Sequence, residues 1–357
     1  MPNDETAPAH NCPTQKSDLH RIRLTGPASV VAAAPLLLGF RPEHSAVLIF
    51  LGDASRDIRL TVRLDLPSAI DDDAKWVESL VATGRHASAG HAILVVIDDI
   101  AAAVAPGLPW ERLVEAVAHE LERHDLPLVD ALLIGRDKWW SYLCDNERCC
   151  DPLGTSLAAS EAWRVQAAFA YEGVAAAPSR SAIVDRLRRL DDEWAADVAD
   201  SVAVLDVALD AEARDLDVEE VYDLLTLSTG PDAVLRHDPE VAGQALVGLR
   251  DVKIRDAVIV RLVAAIDRNG ARAISHTLDG LCSLVRVAPD SCVAPVASVV
   301  AVLAWQSGDG ALASCALDRA LAIDPNYSLA LLIDSMVRHG IPPQAVRSSL
   351  AALQIPA

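Results

Sequence analysis

The chain has 357 residues, of which 52% are hydrophobic and only 4% aromatic, so it is long enough for two domains with cores filled by Ala, Val, Leu and Ile. The formal net charge of -20 is spread over both halves with no basic stripe against it, which excludes nucleic acid and an anionic membrane surface as partners. No apolar run reaches the roughly 20 residues of a membrane span, since runs 27–40 and 293–305 are short and contain Pro35 and Pro295. The first residues carry Asp4, Glu5 and Asp18 and lack the apolar stretch of a secretion signal. The expected location is therefore cytoplasmic, with the seven cysteines mostly reduced.

Residues 1–19 are polar and aperiodic and read as a disordered leader. Ile22 to Leu24 reads as a short strand. Next come a buried apolar helix from Pro27, a stop at Gly39 and Pro42, and an inner strand from Ala46 to Leu51. A small polar turn, Arg41-Pro42-Glu43-His44-Ser45, lies between those two buried elements. Residues 58–66 alternate strictly and predict a half-exposed strand in a hairpin with the previous one. Asp71, Asp72 and Asp73 suit the start of a helix whose inner face carries Trp76, Leu80 and Val81. Residues 91–97 are apolar throughout, as in a strand covered on both faces. A helix over 110–124, a strand over 128–134 and a further strand near 139–143 follow. Strands alternating with helices predict an α/β domain over residues 20–157, with a mixed, partly parallel sheet and helices on both faces.

No strand is expected after Gly154. Residues 181–209 carry apolar side chains at helical spacing, and Asp238-Pro239 is a cap followed by a first-turn proline. Further helices are predicted over 219–227, 251–268, 272–287, 293–305, 311–323, 328–339 and 343–353. Residues 158–357 thus read as an all-helical domain. Its sharpest local pattern lies within 298–339. Trp305 leads to Gly308-Asp309 in a turn, alanines recur where two helices cross, and Asp324-Pro325-Asn326-Tyr327 opens the next helix. This resembles one tetratricopeptide unit. A single hairpin within a helical bundle accounts for the same residues.

Three further blocks belong with that hairpin. They are Pro-Leu-Leu-Leu-Gly-Phe-Arg-Pro-Glu-His-Ser-Ala-Val from Pro35, Arg63-Leu64-Asp65-Leu66-Pro67, and Cys149-Cys150-Asp151-Pro152-Leu153-Gly154. Together they resemble the actinobacterial family known as domain of unknown function 4192, over nearly all of the chain after the leader. The resemblance implies a carboxylate more often than a histidine at position 44, and it carries no activity or cofactor to this chain.

Chemistry has few candidate carriers. Cys144, Cys149 and Cys150 follow the last predicted strand. Their Cys-x4-Cys-Cys spacing lacks the paired pattern of a zinc site and a recognisable fourth ligand. Packing or a structural bridge, thiol reactivity and a metal site all remain open for them. Cys282, Cys292 and Cys315 read as small core residues. Phosphate-binding loops, dinucleotide fingerprints and a nucleophile elbow are absent from the sequence. His119 and His124 read as surface histidines. Asp98-Asp99 closes a buried strand, where α/β sheets place ligands, but an acidic pair there reads as solvated turn chemistry. Arg63 and Asp65 share the polar face of their strand.

Three functional readings follow. The first is a non-enzymatic interaction or regulatory module whose helical half meets a protein partner, with Trp305, Gly308, Asp309, Pro325 and Tyr327 building the hairpin. The second is an enzyme or ligand-binding protein with its site at the sheet edge, drawn from Glu43, Ser45, Arg63, Asp65, Arg136, Trp140 and Gly154 near the cysteine loop. The third is a thiol or metal sensor using Cys144, Cys149 and Cys150.

Overall fold

A computed structural model describes residues 22–54, 57–67, 73–85, 89–99, 107–144, 146, 150–158, 160–171, 174–210, 216–227 and 237–352. The sheet is built from β1 (Ser45–Leu51), β2 (Ile58–Asp65), β3 (His91–Ile97), β4 (Leu128–Ile134), β5 (Lys138–Ser141) and β6 (Thr155–Ser156). Their order across the sheet is β2-β1-β3-β4-β5-β6. Among these six strands only β3 and β4 pair in parallel, and the other strand pairs are antiparallel. The sheet is thus mixed and partly parallel, as the alternation of strand and helix predicts.

All seven residues of β1 are buried, because it lies inside the sheet with both faces covered. The pleat sends Ala46, Leu48 and Phe50 towards helices α2 (Asp73–Arg85) and α3 (Glu111–Glu122), where Val77, Leu80, Val117 and Leu121 complete one core. Val47, Ile49 and Leu51 point the other way, into a core shared with Val30 and Val31 of α1 (Pro27–Leu38). Each of these fully buried large side chains contributes roughly 1.5–3 kcal/mol. Gly84 in α2 permits the close packing of Phe50, since a Cβ there would lie 2.0 Å from the ring. Helix α4 (Ser160–Tyr171) covers the outer side of α1 through Val165 and Phe169 against Ala32 and Ala33.

The rest is helical: α5 (Arg180–Asp185), α6 (Glu193–Asp210), α7 (Val218–Leu227), α8 (Pro239–Gly248), α9 (Val252–Asn269), α10 (Ser275–Val287), α11 (Asp290–Ser307), α12 (Gly310–Ile323), α13 (Ser328–Arg338) and α14 (Pro343–Ala352). Asp238 caps α8 through the Glu240 and Val241 N–H groups, with Pro239 in the first turn, as its sequence predicts. Helix α11 is the centre of this half, buried at every residue from Cys292 to Gln306. It packs along α12, and both helices carry fully buried alanines, Ala297, Ala301 and Ala304 on α11 and Ala313, Ala316 and Ala320 on α12. By length and composition α11 could cross a membrane, which the shorter 293–305 run did not suggest, but 83% of it is buried within the protein.

The two halves are tied at the end of α1. Gly39 takes the left-handed conformation and turns the chain, so that Phe40 enters the helical core. The Ala177 N–H donates to the Gly39 carbonyl at 2.8 Å, and the Arg41 N–H donates to the Ala177 carbonyl at 3.0 Å.

Several local expectations are corrected. Ile22 to Leu24 is irregular and not a strand, and Ile22 and Leu24 pack against α1 and α4. The 181–209 run is two helices, α5 and α6, and both Leu187 and Leu190 of the break pack on the helical core. Helical spacing alone cannot separate a continuous helix from two whose buried faces happen to stay in phase. A short strand, β6, follows Gly154, and α4 was not foreseen. Residues 271–274 form a 3-10 turn ahead of α10.

Candidate functional site

One end of the sheet gathers the start of β1 and the ends of β2, β3 and β4. Ser45 pairs with both Asp65 and Ile97, and Ile97 pairs with Ile134. The carboxyl ends of the parallel strands therefore lie here, the usual place for a ligand in an α/β sheet. Polar residues from the 43–45 turn meet this end on both faces. Period-two alternation puts Ser45, Arg63 and Asp65 on the α1 face, and His44 and Asp98 on the α2–α3 face.

Asp98 continues β3 and is 4% exposed. The Trp110 indole N–H donates to its Oδ2 at 2.8 Å. The His44 Nδ1 stands 3.7 Å from its Oδ1, and the His44 side chain is 54% exposed. The His44 and Trp110 rings meet edge to face, centroids 5.8 Å apart. Tyr142 closes the wall by donating its hydroxyl to the Pro109 carbonyl at 2.6 Å. Burial, and then the Glu111 and Asp98 carboxylates, push its phenol far above the ordinary range, so it stays a protonated donor.

The backbone here is unusual. Among the described residues, His44, Trp110 and Asp125 are the non-glycine positions with left-handed φ. Two of them, His44 at 41° and Trp110 at 67°, face the same buried carboxylate. Such conformations are costly for residues with a Cβ and persist only where the surroundings enforce them. The resulting group is an exposed imidazole with one nitrogen turned to a buried carboxylate. That arrangement can take up or deliver a proton through the other nitrogen.

The sequence-predicted residues separate into distinct places. Glu43, Ser45, Arg63 and Asp65 come together, bonded to one another on the α1 face. Arg136 is exposed in the turn between β4 and β5. Trp140 lies against Gly154, whose φ is 86° and whose missing Cβ would sit 2.5 Å from the indole. Cys150 is buried in the α1-side core and Cys144 packs on that same core. β5 runs back from the sheet end towards Cys144, and the chain returns at β6, where Thr155 pairs with Trp139. Cys149 lies outside the described residues, as does Cys12. Among the described residues, no group of three or more His, Cys, Asp or Glu side chains is arranged to hold a metal.

The hairpin residues serve the helical half internally. Trp305 is 6% exposed, Gly308 ends α11 in the left-handed conformation, and Asp309 caps α12 by accepting from the Leu312 N–H at 2.9 Å. Pro325 is exposed in the turn before α13, and the Tyr327 hydroxyl accepts from the buried Arg255 guanidinium. Cys282, Cys292 and Cys315 are buried thiols, and burial pushes Cys282 up to about 12.

Sequence reasoning passed over Asp98, Trp110 and Tyr142. Asp98 is not solvated turn chemistry, because the loop before α3 folds Trp110 over it; Asp99 beside it is exposed. The available signal was its position at the end of an inner strand.

The family model for a domain of unknown function, DUF4192, matches residues 27–344. The chain belongs to that family. The DUF4192 match runs from the first residue of α1 into α14, so the sheet end and the helical half lie within one family unit. No curated protein and no solved structure matches the chain.

Proposed function

We propose that this protein binds a small ligand at the sheet end and that His44, oriented by Asp98, exchanges a proton with it. One observation carries the reading: two left-handed non-glycine residues face one buried carboxylate. Each costs about 1–3 kcal/mol to hold. Packing does not call for the conformation at His44, whose ring is half exposed. The test is native mass spectrometry of wild-type, H44Q and D98N chains isolated from the natural host. A small-molecule mass held by the wild type and lost from both variants is expected. Equal retention by all three chains, or no bound mass on any, counts against the reading.

A second reading assigns the helical half to a protein partner. Its support is the outer face of α13, where Leu331 and Leu332 are 45% and 53% exposed while Ala330 and Ile333 are buried. The tetratricopeptide-like character of 298–339, the division at residue 157, an actinobacterial source and a cytoplasmic setting belong to this proposal too. Cross-linked pull-downs with wild type and an L331D/L332D variant test it; identical recovery sets it aside.

A further inference from the structure

We infer that Arg63 is the positioning residue for His44, acting through the turn from the opposite face of the sheet; this rests on the sheet-end reading above. The Arg63 guanidinium makes three contacts. Its Nε donates to Ser45 Oγ at 2.8 Å, and its Nη2 reaches the Glu43 carbonyl at 3.4 Å and Asp65 Oδ1 at 2.5 Å. The Ser45 hydroxyl in turn donates to the Glu43 carbonyl at 2.6 Å. Both neighbours of His44 are therefore clasped by one planar fork. The Leu66 N–H donates to the His44 carbonyl at 3.0 Å and holds the residue itself. These bonds hold His44 at φ 41°, the conformation in which its ring meets Asp98 and Trp110. A guanidinium presents donors in a rigid fork, whereas a lysine ammonium is a point donor and cannot span the same acceptors. Asp65 holds the fork in turn. None of Arg63's recorded hydrogen bonds is to the imidazole, so its effect on His44 passes through the backbone turn.

The experiment uses the full chain labelled with 15N-histidine, His44 being assigned by its loss in H44Q. Ring-nitrogen shifts report which nitrogen carries the proton, and diethyl pyrocarbonate modification followed by mass spectrometry reports its reactivity. In R63Q the fraction with the proton on Nδ1 falls. The His44 modification rate rises about fivefold, the population change expected when roughly 1 kcal/mol of enforced left-handed conformation is released. His119 and His124 keep their rates, which a general loosening of the fold would not allow. R63K falls between wild type and R63Q. Should R63Q not fold, S45A removes one acceptor of the fork and moves His44 in the same direction by less. Unchanged His44 shifts and rate in folded R63Q, or in S45A where R63Q does not fold, overturn the role of Arg63. D98N separates the two claims: if it leaves the His44 shifts unchanged, the pairing of His44 with Asp98 itself fails.

Discussion

The α11–α12 hairpin and the sheet end solve the same problem, a sharp reversal beside a buried element, with opposite residue choices. At the hairpin the left-handed position is Gly308, the cap is Asp309, and the contact surface is alanine. Glycine bears φ > 0 without steric cost, and the polar groups spend themselves on helix ends. At the sheet end the left-handed positions are His44 and Trp110, and a carboxylate is buried between them. A structure that merely had to turn there would gain by using glycine. The contrast separates a turn selected for packing from one where the side chain matters more than backbone comfort.

The comparison breaks most visibly at the alanine seam. Ala301→Leu should destabilise the protein by about 3 kcal/mol, since added methylenes have no room at a fully buried position of α11. Chemical denaturation measures it, and a loss below half that value means the seam is loose. At the sheet end, Asp98→Ala removes the acceptor of the part-buried Trp110 N–H and should cost about 2 kcal/mol. D98N should cost less, because an amide oxygen can still accept.

The caps give a smaller effect with a pH signature. Asp309→Ala should cost about 1 kcal/mol, while D309N retains a capping oxygen. Burial raises the Asp309 carboxyl above its ordinary value of 3.8, against the Leu312 N–H and Arg186, which lower it. A raised folded value means the native state binds its proton more tightly than the unfolded chain does. Wild-type stability relative to D309N should therefore fall as pH rises from 3.8 through the raised range, and the difference should level off above it. Parallel unfolding curves for the two proteins across acid pH would contradict this.

The smallest effect has the most informative sign. His44→Gly should stabilise the chain by about 0.5 kcal/mol, the relief of left-handed strain less the entropy glycine loses on folding. Gly308→Ala should go the other way by about 1 kcal/mol. If H44G is instead as destabilising as G308A, the 43–45 turn depends on the imidazole for stability and the contrast collapses.

The legibility of the chain divides along the same line. Every strand of the sheet core was readable because an apolar run or a strict alternation is a local property of consecutive residues. The helix beginning at Pro239 was readable because Asp238 and Pro239 act within one turn. The break between α5 and α6 was not, since helical spacing across 186–192 persists without a helix. At the site, the cluster of Glu43, Ser45, Arg63 and Asp65 was visible through its two strand ends. Asp98 was misread because nothing next to it in sequence reveals that Trp110, twelve residues later, covers it. Cys144 and Cys150 looked like site residues because they follow the last predicted strand, but both pack in the α1-side core.

By itself, then, the sequence determined the alternating elements, the helical second half and the buried character of α1, β1 and α11, because hydrophobic periodicity and capping act over a few residues. The tertiary structure alone decided which face of the sheet each polar residue of the 43–45 turn serves, and that His44, Asp98 and Trp110 meet. Those contacts depend on strand register and on the packing of α3 over the sheet, which are properties of segments distant in the chain.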